Sequence, residues 1–295
     1  MRPTGIYVPI ITPLTDEGAI DSEGLRTLVD RLIESGVNGL VPLGTSGEFA
    51  LLNQDERAEV IQTVVHQASG RVPVIAGVSD AGTRNAVENA VKAERLGVDG
   101  VIATPPYYYH VSPEGLFEHF KLIADSVSIP VMVYNIPSYT HTEIPIHTLK
   151  RIAQLDGLVG MKYTTTDFQS FLEALYEVRS EKFSVMIGSD SMIFQAIQAG
   201  GDGAVTGLAN IAPKECVQIY SHLKAGNADT ALRIQKEIFP LAQAMGIGDF
   251  PAALKEMANM LGLRAGPVRR PLQPLNQEQR QIVRNALLSS GLLKN

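Results

Sequence analysis

The chain of 295 residues carries one cysteine, Cys216, so no intrachain disulfide can form. No histidine neighbours it in sequence, and buried free cysteine is common, so Cys216 reads as a helix core residue rather than a nucleophile. A lone thiol fits a reducing compartment, and a cytoplasmic location is expected. The six histidines (His66, His110, His119, His141, His147 and His222) fall at no metal-ligand spacing, so no metal is expected. No Gly-x-Ser-x-Gly elbow is present. No apolar run approaches a membrane span, and the stretch after Met1-Arg2-Pro3 is broken by Pro9 and Thr12, unlike a signal peptide. The net charge is −6, with Lys and Arg interspersed among Asp and Glu. Without a basic stripe, neither nucleic acid nor membrane is an expected partner.

What is present is an alternation. Short β-branched runs are expected as strands at residues 6–12, 39–44, 73–78, 100–104, 130–135, 158–164, 183–188 and 203–207. Helix-period segments follow at 22–35, 54–68, 83–96, 113–127, 146–154, 168–179, 191–199 and 213–224. The recurring Gly-Val-Asn-Gly (36–39), Gly-Val-Asp-Gly (97–100) and Gly-Gly-Asp-Gly (200–203) read as helix-to-strand turns. Eight strand–helix units are the number that closes a (β/α)₈ TIM barrel, an α/β fold. A doubly wound open sheet is the competitor, but Ile11-Thr12-Pro13-Leu14 is no Gly-rich phosphate turn. Beyond Gly226 come three helical patterns, at 229–245, 251–261 and 277–288, with no strand between them. The expected organisation is one domain over 1–295: a barrel over 1–226 and a C-terminal helical extension over 227–295.

In such a barrel the reactive groups sit at the C-terminal strand ends. The sixth strand reads Leu158-Val159-Gly160-Met161-Lys162-Tyr163-Thr164, with Lys162 its only charge. A buried lysine is expensive to keep charged, and its free amine is a nucleophile. Gly160, on the same face, is expected to leave room for the lysine stem. The competing reading is a lysine whose stem is buried while its amine reaches solvent. Tyr134, ending the fifth strand, is placed near Lys162 and could carry protons; otherwise it is a core tyrosine. Gly44-Thr45-Ser46-Gly47-Glu48 offers two hydroxyls and close backbone approach for a carboxylate, with Glu48 organising the loop, or it is simply a turn. The eighth strand's Gly207-Leu208-Ala209-Asn210 lacks an adjacent Lys or Arg, which weakens a phosphate site there.

Together these segments resemble the pyruvate-dependent Schiff-base lyases and aldolases: dihydrodipicolinate synthase, N-acetylneuraminate lyase and 2-keto-3-deoxygluconate aldolase. The matching motifs are Gly44-Thr45-Ser46-Gly47-Glu48, Thr104-Pro105-Pro106-Tyr107-Tyr108, Tyr134-Asn135-Ile136-Pro137, Gly160-Met161-Lys162 and Gly188-Ser189-Asp190. The resemblance implies that Lys162 forms an imine with a 2-oxo acid, pyruvate, and that Tyr134 moves protons. Thr45 and Ser46 would hold the carboxylate, and Thr45 would also link Tyr134 to Tyr108. The tyrosine matching Tyr108 reaches a neighbouring subunit in the synthases, which implies a homotetramer built as a dimer of dimers. Tyr139, Thr164, Gly188, Ser189 and Val205 complete the implied substrate-binding set. No cofactor beyond the covalent lysine imine is implied.

Departures bear on the second substrate, an aldehyde. Synthases place an arginine where this chain has Tyr139, and sialic acid lyases a glutamate where it has Ser191. Thr164 matches a hydroxyl of the sugar-acid members, and Tyr139, Thr140 and Ser189 offer further neutral hydroxyls. A 2-keto-3-deoxy sugar acid is therefore the expected substrate, cleaved or dehydrated. Dihydrodipicolinate synthase is the enzyme alternative, and a non-catalytic 2-oxo-acid binding protein the other. Phe49, Arg57 and Asn85 occupy positions of the lysine-binding pocket of inhibited synthases, and no inhibition by lysine is expected.

Overall fold

The computed structural model describes residues 2–294. Its strands are β1 (Gly5–Pro9), β2 (Gly39–Val41), β3 (Ile75–Gly77), β4 (Gly100–Ala103), β5 (Val131–Asn135), β6 (Leu158–Tyr163), β7 (Ser184–Ile187) and β8 (Gly203–Val205). They are buried on both faces apart from half-buried Val159, as expected of parallel strands covered by helices. The hydrogen-bonded order is β2-β1-β8-β7-β6-β5-β4-β3, every pair parallel. Closure between β2 and β3 comes from a parallel bridge, Leu40 to Val74. There the Leu40 N–H donates to Pro73 O and the Gly77 N–H to Pro42 O. The expected (β/α)₈ barrel is thus formed.

Around it lie α1 (Ser22–Glu34), α2 (Gln54–Ala68), α3 (Thr83–Arg95), α4 (Pro113–Ser126), α5 (Pro137–Thr140), α6 (Ile146–Ile152), α7 (Phe168–Val178), α8 (Ile193–Gln198) and α9 (Pro213–Lys224). Period-2 alternation divides the core. Val131 and Val133 of β5 face the helices, while Met132 and Tyr134 join Tyr7, Ile102, Met186 and Val205 inside the barrel. Cys216 is buried in α9, as expected.

The three repeated turns do more than reverse the chain. Gly36, Gly97 and Gly200 take positive φ, the left-handed conformation that glycine tolerates. Asn38, Asp99 and Asp202 then each accept a backbone N–H from a neighbouring strand segment, those of Ile6, Val74 and Val185. These side chains knit the N-terminal end of the barrel.

The strands end earlier than the apolar runs suggest. Past Pro9 the ladder gives way to side-chain bonds: the Ile11 N–H donates to Asn210 Oδ1. Past Val205 the chain winds into a helical turn over Gly207–Asn210. The helix expected at 191–199 begins as a tight turn over Asp190–Met192 and is α-helical only from Ile193. A short helix the apolar pattern did not reveal, α5, starts with Pro137 at its first position and carries Tyr139.

The extension comprises α10 (Ala228–Ala244), α11 (Ala252–Met260) and α12 (Gln277–Ser289). Helix α10 packs on α9 and α12. Among the described residues no helix is long and apolar enough to cross a membrane.

Candidate active site

β5 and β6 set the centre of the site. Their register pairs Tyr134 with Lys162. Lys162 is 5% exposed, and its Nζ lies 4.0 Å from the centroid of the Tyr134 ring. It makes no hydrogen bond or ion pair among the described residues. The Tyr134 hydroxyl sits 3.2 Å from Thr45 Oγ1, where either can donate. Lys162, Tyr134 and Thr45 are therefore brought together at the C-terminal mouth.

The loop presenting Thr45 is locally strained. Leu43 and Glu48 both take positive φ, which non-glycine residues rarely do outside sites that need it. A Cβ on Gly77 would lie 2.0 Å from Leu43 O, so glycine there lets the loop settle onto β3. Glu48 fixes the far end. Its carboxylate accepts from Lys255 Nζ at 2.9 Å and from the Arg269 N–H at 2.6 Å. Ser46 is buried beside Gly207.

The room for Lys162 comes from an unexpected glycine. A Cβ on Gly160 would strike Ser184 Oγ at 2.1 Å, so Gly160 admits Ser184 of β7, not the lysine stem. A Cβ on Gly188 would instead fall 2.8 Å from Lys162 Cε and 1.9 Å from Thr164 Oγ1. Gly188 is the residue that accommodates both. Thr164 Oγ1 is sealed from solvent without a partner, an acceptor and donor left open beside the lysine. Val205 lines the barrel interior.

Other implied substrate contacts are already engaged. Ser189 Oγ donates to Thr165 O and accepts from the Thr165 N–H, bracing a loop. Thr140 Oγ1 is spent on Ile136 O and Thr142 O. Tyr139 is 51% exposed and meets Phe250 edge-on at 6.2 Å. Tyr108 is 83% exposed and takes φ +84°, and among the described residues it makes no hydrogen bond to Thr45.

Asp190 was legible as a motif but not as part of the electrostatics. It accepts from Thr206 Oγ1 and the Leu208 N–H. Desolvation pushes its carboxyl up, while these bonds and the nearby Lys162 side chain pull it back. A cavity of about 230 Å³ opens beside Thr45, walled by Phe49, Tyr107, Ile136, Tyr139, Phe250 and Leu272. No Lys, Arg or His lines it. Arg57 is buried instead, 5.4 Å from the Phe49 ring centroid and donating to Phe49 O and Ser79 O. Asn85 donates to Asp80 Oδ1.

Comparison with known proteins agrees over the whole length. The sequence profile of the Dihydrodipicolinate synthetase family matches residues 2–290. A 4-hydroxy-tetrahydrodipicolinate synthase of Methanococcus maripaludis (strain C6) is 40% identical, covering 98% of this chain and 99% of its own. The crystal structure of dihydrodipicolinate synthase from Thermotoga maritima is 31% identical, with TM-score 0.96, covering 99% of this chain and 100% of its own. A prophage protein of the dihydrodipicolinic acid synthase family from E. coli K12, solved in complex with pyruvate, is 29% identical with TM-score 0.95, covering 98% and 99%. The chain is an enzyme of the dihydrodipicolinate synthetase family, the pyruvate-dependent Schiff-base lyases and aldolases.

Proposed function

We propose that Lys162 forms an imine with pyruvate and that the resulting enamine adds to, or is released from, an aldehyde. The observation that carries this is a buried lysine amine with no charged partner in contact, set against a tyrosine that shares a hydrogen bond with Thr45. The amine attacks the ketone carbon, and the carbinolamine loses water to give the imine. Tyr134, in hydrogen-bond contact with Thr45, gives and takes the protons of these steps. Thr45 and Ser46, with the backbone of their turn, suit the pyruvate carboxylate. The reaction uses this covalent imine and no added cofactor. The pyruvate complex of the E. coli relative supports the choice of 2-oxo acid.

The aldehyde is the open half. An aldehyde bearing a carboxylate must be desolvated at the mouth, which costs several kcal/mol without a cation partner. The cavity beside Thr45 offers none, and its one carboxylate, Glu48, is held by Lys255. That favours a neutral aldehyde. The sugar-acid reading is narrowed, because Thr140 and Ser189 are engaged, while the Thr164 and Tyr139 hydroxyls have no partner among the described residues. The second reading is 4-hydroxy-tetrahydrodipicolinate synthase, which the names of relatives up to 40% identical favour over a sugar-acid lyase. One assay separates them. Pyruvate is offered with glyceraldehyde, glycolaldehyde or aspartate semialdehyde, and kcat/KM is compared. A neutral aldehyde is expected to lead; a lead for the semialdehyde establishes the synthase. Failure of pyruvate and borohydride to label Lys162 overturns both.

The assembly belongs to the same proposal. Tyr108 and Tyr109 stack edge-to-face at 4.9 Å and are 83% and 73% exposed. Such an aromatic pair beside the site suits a second copy of this chain, with Tyr108 reaching the partner's Thr45, and a dimer of dimers. The bonds from Lys255 and Arg269 to the barrel support treating the chain as one domain, and the lone buried thiol fits a cytoplasmic enzyme.

A further inference from the structure

An imine at Lys162 has to carry a positive charge where there is little water. The neutral amine forms a C–N bond to the ketone carbon, and the carbinolamine hydroxyl leaves as water with one added proton. The nitrogen remains as a protonated imine. Lys162 is 5% exposed, and its amine lies against the Tyr134 ring. A cation placed there without a counter-charge is costly. An anion in contact is no remedy, because it would pair with the resting ammonium and hold the amine protonated.

The ends of β7 and β8 supply an anion at a remove. Gly188 lies against the lysine: its N–H donates to Tyr163 O, and a Cβ on it would fall 2.8 Å from Lys162 Cε. Two residues further along, Asp190 is tied away from that side. Its Oδ1 accepts from Thr206 Oγ1, just past β8, and from the Leu208 N–H at 2.9 Å. Its main-chain carbonyl accepts from Gln235 Nε2 of α10 at 3.3 Å, and Gln235 Oε1 accepts the Phe194 N–H at 3.0 Å. Oδ2 has no partner among the described residues and is not sealed from solvent. Asp190 and Lys162 form no ion pair, yet the lysine side chain draws the Asp190 carboxyl down.

We propose that Asp190 is the counter-charge of the protonated imine, tethered to β8 so that it stabilises the cation on Lys162 without pairing with the resting amine. Thr206 is the positioning residue that acts through it. The proposal rests on the Lys162 imine and is independent of the aldehyde. It has a signature in pH. Where the resting lysine is an ammonium, ammonium and iminium feel the same field, and Asp190 changes nothing. Where the resting amine is neutral, only the iminium is charged, and Asp190 keeps it protonated to higher pH.

The test is inactivation of the full-length enzyme by cyanoborohydride, whose hydride adds to the carbon of the protonated imine, at saturating pyruvate from about pH 6 to about pH 10. The Tyr134 phenol of β5 also faces the nitrogen; Lys162 of β6 and the Cys216 thiol of α9 face Asp190, with neutral Thr206 and Gln235 on its other sides. Asp190→Asn leaves all of these in place. Its trapping rate relative to wild type should be near one at the acid end and fall to about a tenth at the alkaline end, the size of effect an opposite charge nearby exerts on an ionising group. Thr206→Val frees the carboxylate to approach the cation, so its alkaline limb should move the other way, to higher pH. Thr206→Ser keeps the hydroxyl and should keep the wild-type profile even where the lost methyl lowers the melting temperature. A pH-independent ratio in folded Asp190→Asn overturns the proposal and makes Asp190 a brace between β7 and β8. If that variant does not fold, an unmoved limb in Thr206→Val overturns it, as does a Thr206→Ser profile that follows Thr206→Val. Absence of trapping in the wild type overturns the imine itself, an outcome distinct from a trapped wild type with a flat ratio.

Discussion

The molecule buries two lysines, one at the barrel mouth and one at the seam with the C-terminal helices, and treats them in opposite ways. Lys255, 1% exposed, donates to Glu48, to Thr12 O and to Pro267 O. Desolvation lowers the affinity of its amine for a proton, and Glu48 restores part of it. Lys162, 5% exposed, has only an aromatic face and the more distant field of Asp190. A buried charge with every donor satisfied is structural. One left without partners is a cost that a fold retains only where the free amine has work to do.

Exchanging each lysine for methionine tests that contrast most severely. Lys162→Met should abolish labelling by pyruvate and borohydride and lower turnover by about 10³-fold or more. It should leave thermal stability equal or raised, because no partner is orphaned. Lys255→Met should do the reverse, losing roughly 3–5 kcal/mol of stability by stranding the Glu48 carboxylate, while the folded fraction still labels. If Lys162→Met unfolds the protein, or labelling persists in it, the two lysines are not different in kind.

The next largest effect is expected at Tyr134. Removing its hydroxyl in Tyr134→Phe keeps the ring under Lys162 and deletes only the bond to Thr45. Turnover should fall by about 10²-fold with circular dichroism unchanged. Wild-type turnover in the variant reduces Tyr134 to a core residue.

How much of this was legible in the sequence follows from which forces are local. Strand positions and the inward direction of Tyr134 follow from period-2 patterning, and the eight-unit count gave the barrel. The strand ends did not, because side chains remote in sequence, such as Asn210, take over the backbone bonds there. Lys255 lies within the helical pattern at 251–261, and nothing local marks it as buried; its burial depends on Glu48, more than two hundred residues away. Gly160 shows the same limit, since its neighbour is Ser184 across the ladder rather than the lysine beside it. Ser189 and Thr140 read as free hydroxyls because sequence does not reveal which carbonyl a hydroxyl has already found.

A third buried base sharpens the comparison, since it is neither ion-paired nor part of the site. His119 of α4 is 1% exposed; Nδ1 lies 2.9 Å from Thr83 Oγ1 and Nε2 3.2 Å from Thr104 O. The carbonyl requires a proton on Nε2, so Nδ1 accepts. Burial depresses its pKa from 6.5 to about 4. Between those values the unfolded chain binds a proton that the folded chain refuses. Stability is therefore complete above about pH 6.5 and falls as pH drops towards about 4, by roughly 2–3 kcal/mol. His119→Gln should flatten that part of the melting-temperature profile. An identical slope in the variant would assign it to other groups.

The smallest effect, and the one that bears on substrate, comes from adding a cation to the mouth that lacks one. Tyr139 sits on α5 beside the cavity, half in solvent, its ring edge against Phe250. Tyr139→Arg would put a guanidinium where a carboxylate-bearing aldehyde has no partner. Because the position is partly exposed, water screens the pair, and about 1 kcal/mol is a fair expectation. That is roughly a fivefold to tenfold shift in kcat/KM towards aspartate semialdehyde relative to glyceraldehyde. Binding of pyruvate lies deeper, at Thr45 and Lys162, so the rate of borohydride trapping should not change. A shift in both substrates alike would mean that the substitution distorts α5 and reports nothing about charge. No shift, in an enzyme that already prefers the semialdehyde, would place the missing cation on a second copy of the chain. The mouth would then be complete only in the assembled enzyme, and Tyr139 would have no part in choosing the aldehyde.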